Sequence, residues 1–212
     1  MLKHLRIGLA ALAVFATLGV LTPTAEAQRR RTIFGRRATA ARNVSGLVAR
    51  AQQVTGDRFQ FETRTPSGTR VYAVSRPSGA ALSAIDRGLS QLFNVARRRG
   101  YRARLNHADY TVFIARADRT RNSAGAYSPD IALGAAQYAG SVYDQGGYVY
   151  AAGMVLANEP AAFIVAEHER DFNRIADVAR YEGEHLVLYH NDRRLYARTA
   201  DHSRGGSHPI LQ

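Results

Sequence analysis

The spacing of apolar residues changes several times along the chain, and each change marks an element. Residues 1–27 begin with Lys3 and Arg6, continue as an apolar run from Ile7 to Val20 and close on Ala25-Glu26-Ala27. That order is the form of a secretory signal cleaved after Ala27. The run has 14 residues, short of the roughly 20 that span a bilayer as a helix, so release is expected rather than anchoring. No Arg-Arg pair precedes it, which favours general secretion over the twin-arginine route. The expected location is periplasmic or extracellular.

Further on, Phe59 and Phe61 alternate with polar neighbours, Thr65-Pro66-Ser67-Gly68 has turn chemistry, and Val71 and Ala73 resume the alternation, which predicts a β-hairpin. Over 79–99 the residues Leu82, Ile85, Leu89, Leu92, Phe93 and Val95 recur at helical spacing. Arg97-Arg98-Arg99-Gly100 then supplies the cations and glycine that suit a helix C-terminus. Tyr110, Val112 and Ile114 alternate within 108–117 and predict a third strand. The segments 131–138 and 148–157 predict two more, joined through the Gly-rich stretch Asp144-Gln145-Gly146-Gly147. Residues 118–129 read as polar loop. After Pro160, Phe163 to Ala166 leads into a charged last third in which 174–191 has the pattern of a helix. The expectation is a single α+β domain over 55–212, a mostly antiparallel sheet packed against two main helices, behind a signal peptide (1–27) and an Arg-rich flexible arm (28–54).

Charge gives the arm its character. Seven arginines (Arg29, Arg30, Arg31, Arg36, Arg37, Arg42, Arg50) and no Asp or Glu lie between Gln28 and Gly56. Such a run is expected to repel itself and stay extended, at least to Arg42. Its expected partners are an anionic envelope surface or a polyanion, each basic residue near an anionic membrane contributing about 1 kcal/mol. The alternative is a solvated tail. Nucleic acid is disfavoured, because an exported chain rarely meets it and no aromatic residue interleaves the arginines after Phe34. The chain has no cysteine, which excludes disulfides, thiolate zinc sites, a cysteine nucleophile and a lipidated cysteine. There is no G-x-S-x-G, Walker loop, G-x-G-x-x-G or EF-hand loop.

What remains for chemistry is concentrated near the C-terminus. His168, His185, His190, His202 and His208 fall within 41 residues, and eight of the chain's 17 acids lie between Phe163 and Asp201. Taken as a helix at about 100° per residue, 174–191 places Ile175, Val178, Glu182, His185 and Tyr189 on one stripe about 60° wide. Glu182 and His185, at i and i+3, then point inward together, while Glu184 faces nearly the opposite way. His190 lies about 140° round from His185 and cannot share an ion with it. Glu182 or Asp192 with His185, His202 and His208 makes a carboxylate and imidazole set suited to Zn²⁺. Glu182 is equally accounted for by a buried arginine pair, and His185 by a core histidine bonded to backbone.

Tyr181-Glu182-Gly183-Glu184-His185 on this helix resembles the active helix of the zincin metallopeptidases, whose motif is HExxH, with Tyr181 standing where the first histidine belongs. The resemblance implies an α+β peptidase-like hydrolase or an inactive relative. It further implies zinc as cofactor, His185 as a ligand and Glu182 as general base, with Glu184 the other nearby carboxylate for that role. The alternative function is a non-enzymatic envelope protein acting through its arginine arm.

Overall fold

The computed structural model describes residues 44–117, 130–134, 148–167, 171–202 and 206–212. The signal peptide, the six arginines Arg29, Arg30, Arg31, Arg36, Arg37 and Arg42 of the arm, the 118–129 loop, the 144–147 turn and His168 lie outside these residues.

The first described element corrects the expected arm. Residues 44–55 form a helix, α1, because Leu47, Ala51 and Val54 are spaced along one face and are buried. Gly56, with φ +70°, ends it, and its N–H donates to Gln52 O at 2.9 Å. The absence of acids made residues up to 54 read as part of the flexible arm, yet the apolar stripe outweighs charge repulsion once a sheet face is there to cover.

The hairpin forms as expected: β1 (Phe61–Arg64) pairs antiparallel with β2 (Arg70–Ala73). The amphipathic helix follows as α2 (Gly79–Arg98), with Ser78 as N-cap accepting from Ala81 N and Arg97 and Arg98 in its last turn. This helix is a crossover, so β3 (Tyr110–Ala115) lies parallel to β2. A short hairpin, β4 (Ile131–Gly134) with β5 (Tyr148–Ala151), forms a separate two-stranded sheet. Then β6 (Gly153–Ala157) runs antiparallel to β7 (Ala161–Ala166), which sits parallel to β3. The main sheet has the order β1-β2-β3-β7-β6. Three of the five described pairings are antiparallel; the parallel centre reflects burial on both faces, every residue of β3 and β7 being buried.

One sheet face, carrying Val71, Val112, Ile114, Phe163 and Val165, packs against α2 and the long helix α3 (Phe172–Asn191). The other, carrying Tyr72, Phe113, Ala162 and Ile164, packs against α1. Two glycines set the spacing of α2 and α3. A Cβ at Gly88 would lie 2.1 Å from Ala176 O, and one at Gly183 would lie 2.8 Å from Leu92 Cδ2, so the helices approach more closely than any side chain at these points permits. Among the described residues no helix is long and apolar enough to cross a membrane.

Candidate metal centre

The centre is assembled from α3, a short helix after it and the C-terminal tail. Asp171 N-caps α3 by accepting from Arg174 N at 3.0 Å. At the other end Asp192 leaves helical geometry, with φ −144° and ψ 86°, and caps the next helix α4 (Arg193–Thr199) by accepting from Leu195 N at 2.9 Å. The chain thus turns sharply, and the Tyr189 and Tyr196 rings meet edge to face at 5.2 Å, folding α4 back onto α3. Beyond α4, Ser207 N donates to Thr199 O at 3.1 Å and Gly206 N to Asp201 O at 3.0 Å. Arg99 at the end of α2 grips Pro209 O at 2.7 Å and Gln212 O at 2.9 Å. Ile210 enters the core beside α2 and α3, 1% exposed. These contacts bring the tail across the face of α3.

Three imidazoles converge there. His185 Nε2 and His202 Nε2 are 3.2 Å apart, and one ligand atom from each of His185, His202 and His208 lies within 4.8 Å of the others. Two nitrogens on a tetrahedral zinc at 2.0–2.1 Å are about 3.3 Å apart, so the first pair already has that separation and His208 needs a movement on the order of 1 Å. His185 is buried, His208 half-buried and His202 exposed, which leaves the cluster open on one side. Burial, then the neighbouring His208 and His202, push the His185 imidazole down to about 3. Burial and His208 also lower His202, against the opposing pull of Asp201 and Glu184. Both rings are therefore neutral near pH 7, the form that ligates a metal.

Glu184 supports the cluster from behind. It is completely buried, not solvent-facing as the helical stripe implied, because the tail covers the side of α3 that a two-layer packing would leave open. Its Oε1 accepts from Ile210 N at 2.6 Å and its Oε2 stands 3.4 Å from His208 Nδ1. A carboxylate behind an imidazole is the arrangement that orients histidine ligands. The buried atoms His185 Nδ1, His208 Nδ1 and Glu184 Oε2 have no hydrogen-bond partner among the described residues, so the His208–Glu184 approach is an ion-pair contact and not a hydrogen bond.

The other sequence-derived candidates stand elsewhere. Asp192 is committed to the α4 cap, its carboxylate engaged by a backbone N–H that otherwise lacks a partner. Glu182 is half-buried and faces strand β6, where it accepts from the Val155 backbone N–H and its Cγ lies against Gly153. Burial pushes its carboxyl up to about 8, with the Val155 bond opposing. His190 meets Asn158 O at 2.9 Å through Nε2, outside the cluster. Tyr181 packs its ring 4.6 Å from that of His208. Comparisons with family models, with curated proteins and with solved structures return no match.

Proposed function

We propose that the protein is an exported zinc protein in which His185, His202 and His208 hold one Zn²⁺, and that the site is hydrolytic in the manner of the zincins it resembles. The observation that carries this reading is the convergence of three histidines, distant in sequence, on one point backed by a buried carboxylate. With His208 Nδ1 turned towards Glu184, its Nε2 is the ligand atom. Three protein ligands leave a fourth position for water or substrate, the composition of catalytic rather than structural zinc sites. The metal would supply Lewis acidity and lower the pKa of bound water.

The chain's own groups divide the remaining work. Glu184 stands behind His208 and is occupied by Ile210 N, so in this reading it is the orienting carboxylate and not the base. Glu182, on the helical turn before His185, faces β6 and not the cluster, so it takes no step in this reading. His208 meets Tyr181, and in this reading the tail imidazole replaces the histidine that the helix lacks. Elemental analysis of untagged protein is the test: one zinc per chain in the wild type and markedly less in His202→Ala. Protein that refolds without zinc and takes up none when zinc is offered would overturn the proposal.

A further inference from the structure

A second cluster lies some way along the fold, where α2, the β1–β2 turn and the 3-10 turn His107–Asp109 meet. Asp86 and Ser90 are one helical turn apart on α2 and so share a face. Ser90 Oγ lies 3.1 Å from His107 Nε2, and His107 Nδ1 lies 3.2 Å from Asp86 Oδ1. Asp86 is 8% exposed. Its Oδ2 accepts from Ser67 N at 2.7 Å, fixing the carboxylate, while its Oδ1 makes an ion-pair contact with the imidazole and no hydrogen bond among the described residues. Thr69 Oγ1, 3.3 Å from Nδ1, and the Phe93 ring, edge-on at 5.3 Å, hold the histidine in place.

We propose that Ser90, His107 and Asp86 form a metal-independent nucleophilic site in which Ser90 accepts the acyl group of a small ester bearing a negative charge. The three roles follow from connectivity alone: nucleophile, base and the carboxylate that orients the base. A purely structural network needs Asp86 and His107 to tie the turns together, but it does not need Ser90, nor an open cavity beside it. The cavity measures about 560 Å³ and is lined by Ser90, His107, Phe93, Asn94 and Arg97, among others. Arg97 has no carboxylate partner among the described residues and donates to Leu105 O at 2.8 Å and Asn94 Oδ1 at 3.4 Å, so its charge selects an anionic acyl group. Asp109, also on the cavity wall, is paired with Arg104 at 3.5 Å. Burial, and to a smaller degree Arg97, keep the imidazole below its ordinary pKa despite Asp86, so it is neutral and able to take a proton at pH 7.

In the step itself the Ser90 Oγ proton passes to His107 Nε2 as Oγ bonds to the acyl carbon. The bond from that carbon to the leaving oxygen then breaks, and the departing alcohol or phenol takes the proton back. Water, deprotonated by the same nitrogen, later releases the acid. The probe is p-nitrophenyl succinate, used on the full chain with a chelator present so that the zinc centre plays no part. Trypsin cuts at Arg87 and Arg97, and the peptide 88–97 carries Ser90 as its only hydroxyl. The expected result is one succinyl group on that peptide, with p-nitrophenolate release falling by roughly a hundredfold or more in Ser90→Ala and in His107→Gln, the size of a general-base contribution. Thermal midpoints of both variants report folding. An unmodified 88–97 peptide from wild-type protein overturns the inference whether or not the variants fold, and so does release that persists unchanged in a folded Ser90→Ala; neither result bears on the zinc reading.

Discussion

Glu182 is where the sequence pattern and the fold pull on one carboxyl in different directions. It lies on the inward stripe of α3, yet among the described residues neither an arginine nor the histidine cluster pairs with it, and its compensation there is the Val155 N–H of β6. With a folded value near 8 against an ordinary 4.5, the folded chain keeps a proton that the unfolded chain releases across that window. Folding stability therefore falls as pH rises from about 4.5 to 8, by at most about 1.4 kcal/mol per pH unit. Solvent that reaches the partly buried side chain makes the real slope shallower. Glu182→Gln keeps the acceptor and removes the titration. Melts of apoprotein between pH 5 and 9 are expected to show the variant gaining on the wild type as pH increases, and parallel curves would contradict this account of Glu182.

At the scale of elements, the position of the centre depends on how closely α2 and α3 approach. Gly88 admits the Ala176 carbonyl where any Cβ would collide, so Gly88→Ala forces the helices apart. A loss of about 1–3 kcal/mol in denaturant unfolding is expected, the range of overpacked contacts. Gly79→Ala is the control, since nothing lies within 4 Å of its Cβ position; equal losses at both sites would show that α2 disfavours the substitution for its own reasons. The elements themselves were largely legible. The hairpin, α2, β3 and α3 follow from periods of two and 3.6 that a single chain displays. What period cannot display is partner: β3 and β7 are parallel neighbours separated by some 50 residues of sequence, and α1 is a helix only because Leu47, Ala51 and Val54 find a sheet face. The stretch 163–166 read as a lead into a helix and belongs to strand β7, since a short apolar run has no period to distinguish the two.

For the whole molecule, the tail is what converts a fold into a site. His185, His202 and His208 were nameable from their clustering in sequence, and Glu184 as a carboxylate nearby. Its role was not legible, because a helical wheel cannot know that residues 206–212 return across α3 and bury it. Asp192 was misread for a related reason: its sequence neighbourhood looks like a ligand set, while its backbone starts a new helix. Ser90, Asp86 and His107 gave no signal at all, since Asp86 and Ser90 lie four apart within an ordinary amphipathic helix and His107 stands alone in the chain until the crossover returns it.

A metal that binds the folded tail but not the unfolded chain couples the C-terminus to overall stability by RT ln(1 + [L]/Kd), about 2.7 kcal/mol when free zinc is a hundred times Kd. In a domain of this size that raises the thermal midpoint by roughly 5–11 °C. The central claim is therefore tested by a thermal melt of chelator-treated protein before and after adding zinc, alongside His185→Ala and His202→Ala. The account predicts a rise of that order in the wild type, reversed by chelator and absent in both variants; a wild-type midpoint indifferent to zinc, or an equal rise in all three proteins, would contradict it.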